Sequence, residues 1–237
     1  MFSESEVARA ILAFDELESM ARGLNETTLI RNAQFVMSPG PSNEPVLARV
    51  VWAGGARPSL LALGADPRLL QPVMGLLETD TLIQLLNQAH FKRPGDGVAF
   101  DWHQDIQHRD KGNGSWRDVG VRGSYVQTIC VLDAMDLESG PLEFIPSSNT
   151  WGPVQFIGRE HGVMDLDDRP EIDPSVQCVV SVIGKPGDVI FFGPYTAHMS
   201  RANTSDHYRR VLINGYSVEG ANQRHYPGVG LGQIMRL

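Results

Sequence analysis

The chain has 237 residues, with 20 Lys and Arg against 28 Asp and Glu and a formal net charge of −8. A hydrophobic content of 42% and a charged content of 20% exclude disordered and fibrous classes, and the acidic balance argues against a partner read through a nucleic-acid backbone. No apolar run reaches the ~18–20 residues a bilayer span needs, the start Met1-Phe2-Ser3-Glu4-Ser5-Glu6 lacks a signal-peptide pattern, and Cys130 and Cys178 lie in apolar strand-like runs without a C-x-x-C or zinc spacing. These features predict a cytoplasmic protein with buried, reduced thiols, no membrane partner, and a single domain over residues 1–237.

Ser3 and Glu6 fit a capping box ahead of the apolar face Val7, Ile11, Phe14 and Leu17, with Gly23 as the stop of a first helix. Strands are expected over 29–37 and 46–53, separated by Ser38-Pro39-Gly40-Pro41-Ser42-Asn43. Asp66-Pro67 opens a second helix with Leu69, Leu70, Val73, Leu76 and Leu77 as its buried stripe, and Pro72 implies a kink or a start one turn later. Residues 81–92 suit a helix or a doubly buried strand. Beyond them, 125–132, 178–183, 189–192 and 210–218 are short, β-branched or aromatic-rich, and bounded by Gly, Pro or Asp. The result is a mainly β chain, a barrel or sandwich, behind a helical preface spanning 1–80. The polar stretches 107–123 and 149–174 are too long for hairpin turns and read as lid loops.

The chemistry is sought among seven histidines, His90, His103, His108, His161, His198, His207 and His225, because imidazole is the commonest metal ligand. His103-Gln104-Asp105 places an imidazole and a carboxylate on one side of an extended chain. With a second histidine they would fill one face of an octahedral metal and leave the other open, as in non-heme Fe(II) oxygenases. His108-Arg109-Asp110 repeats the spacing but sits in a charged, solvated stretch, whereas His103 follows the apolar Val98-Ala99-Phe100 and Trp102. In the C-terminal third a strand, a loop carrying His198, a turn, and a second strand beginning at Arg209-Arg210 follow in order. An arginine returning beside that histidine could grip a carboxylate with two parallel hydrogen bonds. Strand period does not distinguish Arg209 from Arg210, because Val211 and Ile213 on one face are matched by Leu212 on the other.

Several blocks occur in order: Trp102-His103-Gln104-Asp105; Ser139-Gly140-Pro141-Leu142 with Ile145-Pro146-Ser147-Ser148; Gly187-Asp188 before Phe191-Phe192; and His198-x-Ser200-x-x-Asn203-x-Ser205 leading to Arg209. This combination, from about residue 66 to 217, resembles the phytanoyl-CoA dioxygenase family of Fe(II)- and 2-oxoglutarate-dependent oxygenases. The resemblance implies a double-stranded β-helix (jelly-roll, cupin-like) core over 81–218 with flanking N-terminal helices. It assigns His103, Asp105 and His198 to iron, and Arg209 to the far carboxylate of 2-oxoglutarate with Ser200 as a helper. His90 stands where relatives such as ectoine hydroxylase place an asparagine near the cosubstrate.

The implied reaction consumes dioxygen and 2-oxoglutarate, releases succinate and carbon dioxide, and oxidises an unactivated C–H bond. Asp105 argues for hydroxylation or another oxidation over halogenation, because related halogenases carry a small residue there. Where the family often shows Pro-Gly-Ser-His, this chain has Pro146-Ser147-Ser148-Asn149. Gln88, Asp101 and Arg109 are candidates to face a small polar substrate; Trp116 and Trp151 could face it or anchor the loops. The oligomeric state stays open between monomer and homodimer. The competing readings are a cupin-like metal protein that binds a small ligand without oxidising it, and a zinc hydrolase or isomerase.

Overall fold

The computed structural model describes residues 1–109, 114–157 and 169–237. The chain opens with helix α1 (Glu4–Met20), whose capping box forms as expected: the Ser3 side chain accepts from the Glu6 amide while the Glu6 carboxylate accepts from the Ser3 amide. The helix closes at Ala21, two residues before Gly23. Strands β1 (Thr28–Ile30) and β2 (Ala33–Pro39) follow, then β3 (Pro45–Val51). Residues 29–37 are thus a tight hairpin and not one strand. Arg31 and Asn32 both adopt positive φ (48° and 64°), the backbone a two-residue turn between twisted strands requires.

Two helices come next, α2 (Pro58–Gly64) and α3 (Pro67–Leu77). The first has no sequence expectation behind it and starts on a proline at its first turn. The second begins at Pro67, with Asp66 accepting from the Arg68 amide, and runs through Pro72. The ambiguous segment is a strand, β4 (Leu82–His90), and burial on both faces accounts for its unbroken apolar texture. The remaining elements are β5 (Phe100–His103), α4 (Ile106–Arg109), β6 (Tyr125–Val131), β7 (Leu142–Phe144), β8 (Gln155–Phe156), β9 (Glu171–Ile172), β10 (Val180–Val182), β11 (Val189–Phe192), β12 (His198–Ser200), β13 (Val211–Val218) and β14 (Gln233–Met235).

Among the described residues the strands form an eight-stranded sheet in the order β1-β2-β3-β4-β13-β6-β11, with β14 also on β4, and a four-stranded sheet β10-β7-β12-β5. Both are antiparallel, and together they make the mainly β jelly-roll expected from the sequence. The helices cover one face of the larger sheet. Phe14 and Leu17 of α1 pack with Phe35, Val50, Ala89, Phe91 and Leu212, while Leu70, Val73 and Leu77 of α3 pack with Leu82, Tyr125 and Tyr216. The other face looks toward the smaller sheet, where Ile129, Leu142, Phe192, Val211 and Ile213 form an inner cluster.

The alternation along β13 follows directly: Leu212 serves the helix side, Val211 and Ile213 the inner side. Cys130 is buried, but Cys178 is exposed, contrary to expectation. It precedes β10, an edge strand of the smaller sheet whose Val180 and neighbouring Ile183 are also exposed. No helix of the described residues is long and apolar enough to cross a membrane.

Candidate metal centre and active site

Between the two sheets lies a cavity of about 400 Å³. One wall is the inner face of β3, β4, β13 and β6; the other is β5, β7 and β12. Cross-strand register builds its reactive end. His198 on β12 pairs directly with His103 on β5, which brings the two rings to 4.1 Å between centroids. Asp105, two residues past His103, turns its buried carboxylate to the same spot, and the ligand atoms of His103, Asp105 and His198 all lie within 4.8 Å of one another. Phe192 and Phe144 flank the His198 ring at 4.7 and 5.8 Å.

Hydrogen bonding tests whether these groups fit a metal. His103 Nδ1 lies 2.6 Å from the Asp101 carbonyl, and His198 Nδ1 lies 2.9 Å from the Thr196 carbonyl. A carbonyl only accepts, so each Nδ1 carries a proton, which makes Nε2 the ring nitrogen on each that would ligate a metal. Among the described residues Asp105 Oδ2 is buried with no hydrogen-bond partner, a costly state for a carboxylate unless a cation completes it. Two imidazole nitrogens and one carboxylate suit a ferrous ion. The second His-x-Asp pair is not comparable: His108 sits on α4 with its ring 5.5 Å from that of His103, and Asp110 and His161 lie outside the described residues.

Arg209 enters the cavity wall and Arg210 does not. Arg209 shares the inward phase of Val211 and Ile213, is buried, and donates through Nε and Nη2 to the Gly140 carbonyl at 3.2 and 2.7 Å. Arg210 takes the phase of Leu212 and pairs with Asp133 and Asp15 on the helix side. Burial pushes the Arg209 guanidinium down to about 10, so it remains a cation at neutral pH. Ser200, two residues beyond His198, also lines the cavity. His90 lines it from β4, with Nε2 2.9 Å from Gln88 Oε1 and its ring 5.2 Å from that of Phe100. Burial, then the charges of Arg49, Arg209 and Lys92, hold the imidazole well below its ordinary pKa, so it is neutral.

Gln88 and Asp101 line the cavity as well. Arg109 also borders it, but its guanidinium lies over Tyr125 and Tyr226 at 4.7 and 5.3 Å, and Nη1 and Nη2 donate to the Tyr226 and Tyr125 hydroxyls. Trp116 is buried edge-on to Tyr125, and Trp151 packs with Ile145, Val154 and Phe156. Both tryptophans hold loops to the core.

Three residues were not anticipated. Gln104 lies between the two ligands and points the opposite way, donating to the carbonyls of Gly152 and Tyr195 and accepting from the Val154 amide. Arg49 on β3 lines the cavity beside His90 and Phe100, and its guanidinium has no hydrogen bond or ion pair among the described residues. A lone charge inside the apolar run 46–51 was its only sequence signal. Lys92 is buried behind Ser200, and nothing in the pattern of a lysine following a strand announces that.

A jelly-roll that converges two histidines, an aspartate and a buried arginine on one inter-sheet cavity defines a metal-dependent oxygenase architecture. The phytanoyl-CoA dioxygenase (PhyH) family model matches residues 2–211. The chain belongs to that family of non-heme iron, 2-oxoglutarate-dependent oxygenases. It is 28% identical over 147 residues to L-proline trans-4-hydroxylase of Streptomyces griseoviridis, covering 55% of this chain and 52% of that protein. It is 27% identical over 234 residues to ectoine dioxygenase of Bordetella bronchiseptica, covering 92% of this chain and 69% of the other. Among solved structures, EctD from S. alaskensis with bound Fe superposes with a TM-score of 0.69 at 23% identity, covering 93% of this chain and 71% of that one. The same protein has also been solved with 2-oxoglutarate and 5-hydroxyectoine (TM-score 0.66, 22% identity, the same two coverages).

Proposed function

We propose that this chain, a single domain, is an Fe(II)- and 2-oxoglutarate-dependent dioxygenase that hydroxylates an unactivated C–H bond of a small polar metabolite, releasing succinate and carbon dioxide. The observation that carries the reading is the convergence of His103, Asp105 and His198, with both Nδ1 atoms committed to carbonyls and one oxygen of Asp105 left without a donor. A ferrous ion in that set would supply activation of dioxygen at the expense of the keto acid.

The protein's own residues do the rest. His103, Asp105 and His198 present three donors from one side, which leaves the cavity side for the cosubstrate. Arg209 is a fixed cation at the far end, suited to a distal carboxylate, and Ser200 adds a hydroxyl beside it. His90, neutral and tied to Gln88, provides a polar wall without competing for the carboxylate. Phe100, Leu142, Val211 and Ile213 exclude water between these groups. Gln88, Asp101, Arg49 and Arg109 surround the remaining space and favour a compact polar substrate. A cavity of about 400 Å³ holds the keto acid and such a molecule, and is small for a fatty acyl thioester. Curated relatives named for ectoine and proline, both small and polar, support the same substrate class. Segments 107–123 and 149–174 serve as lids in this reading, in part outside the described residues.

The test is anaerobic titration of the protein with Fe(II) and 2-oxoglutarate. The visible charge-transfer band of the chelate should appear with the native chain and be absent in His103→Ala. A native chain that binds Fe(II) but never develops the band would overturn the reading.

A further inference from the structure

Behind the end of the cavity assigned to the cosubstrate, Lys92 is fully buried. Its Nζ donates to Ser200 Oγ at 2.8 Å, to the Arg201 carbonyl, and at 3.5 Å to the Gly140 carbonyl. Gly140 O is the same atom that accepts from Arg209. Two basic side chains therefore converge on one neutral oxygen, and neither has an ion-pair partner among the described residues.

The charged groups around Lys92 do not change that balance. Asp96, in the turn after β4, spends its oxygens on the Arg93 and Val98 amides, and Glu143 on β7 is bound by Arg201. Both act on Lys92 only through space. His90, the last residue of β4, is neutral, and Arg49 stands by the Phe100 ring as a further positive charge.

Three acceptors around Nζ match the three protons of an ammonium. An amine has two protons and a lone pair, so one of these contacts must reverse. Of the three partners only Ser200, a hydroxyl, can turn donor. With Lys92 charged, Ser200 accepts from it and keeps its own proton for an anion at Arg209. With Lys92 neutral, Ser200 gives that proton to the amine. Burial and the Arg209 charge push the Lys92 ammonium down to about 6, so the amine dominates at neutral pH when no anion is present. A carboxylate arriving at Arg209 offsets the charge that disfavours protonation of Lys92 and so favours the ammonium.

We infer that Lys92 is a positioning residue for the dicarboxylate cosubstrate: it takes a proton from solvent as the distal carboxylate docks at Arg209, and as an ammonium aims the Ser200 hydroxyl at that carboxylate. The only bond formed is N–H on Nζ, and buffer supplies the proton. The inference rests on the dioxygenase reading above.

Calorimetric titration of the anaerobic Fe(II)-loaded protein with 2-oxoglutarate, in buffers of different ionisation heat at about pH 7.5, should show uptake of about one proton in the native chain. That uptake should disappear in Lys92→Met, whose affinity for 2-oxoglutarate should fall by about tenfold. Because Lys92 works through Ser200, its replacement in a Ser200→Ala background should cost less than about twofold more. Binding without proton uptake in the native chain would overturn the inference, and this arm needs no variant to fold. Uptake that persists in Lys92→Met, or fully additive losses in the double variant, would overturn it too. Complete failure of 2-oxoglutarate to bind the iron-loaded native protein would instead remove the dioxygenase reading itself.

Discussion

Asp105 holds a buried oxygen with no donor among the described residues, and the Arg109 guanidinium interacts with it only through space. Removing the carboxylate takes away the one anionic metal donor. Asp105→Ala should therefore abolish the chelate band while leaving the fold intact, read by far-ultraviolet circular dichroism beside the anaerobic titration. The two adjacent arginines make a paired prediction. Arg209→Ala should raise the 2-oxoglutarate concentration needed for half-maximal turnover by roughly 10- to 100-fold, the worth of a charge-assisted double hydrogen bond. Arg210→Ala should leave that requirement unchanged and lower stability by about 1–3 kcal/mol, because Asp133 and Asp15 lose their partner. Steady-state kinetics and urea unfolding of both variants decide it, and a reversed pattern would sink the assignment of Arg209.

The elements place these residues through register. A one-residue slip of β12 against β5 would turn His198 away from His103, so the segments holding the two strands matter as much as the ligands. Gln104 is the main fastener: its amide ties the His103-Asp105 segment to the loops carrying Gly152, Val154 and Tyr195. Gln104→Ala should leave buried backbone groups unpaired and destabilise the chain by about 2–3 kcal/mol, measured as a lowered denaturant midpoint. Gly140 has the opposite constraint. Its φ is +69°, and a Cβ there would overlap the Arg201 carbonyl, the oxygen Lys92 also uses. Gly140→Ala should force that turn apart, weakening 2-oxoglutarate binding together with stability. The hairpin at Arg31-Asn32 shows why local rules misplaced a boundary, and α3 starts at Pro67 as its cap indicated and runs through Pro72 instead of starting a turn later. Turn geometry and the packing of Leu69, Leu70 and Val73 outweighed what the apolar run and the proline indicated alone.

For the whole molecule the cavity is the seam between two sheets, so filling it links metal binding to global stability. A divalent metal held only by the folded chain at about 100 times its Kd adds ~2.7 kcal/mol. For a chain of this length that corresponds to a rise in Tm of about 5–10 °C. Anaerobic thermal melts with Fe(II) or Mn(II) should show this shift in the native chain, reverse it with a chelator, and show none for Asp105→Ala. A native chain indifferent to metal would contradict the proposed centre.

Local chemistry was legible without any fold. The capping box at Ser3 and Glu6, the proline-led helix at Asp66-Pro67, the short strands from 125 onward and the His-x-Asp pair are statements about neighbours in sequence, and a linear pattern can carry them. The face on which a residue stands depends on what packs against each side of its strand, and that belongs to distant segments. Burial by α1 and by the opposite sheet separated Arg210 from Arg209, made 82–90 a strand, and left Cys178 in the open. The same cause hid Lys92 and Arg49: a charge inside a protein is recognisable only from the groups that surround it, and those come together only when the two sheets close.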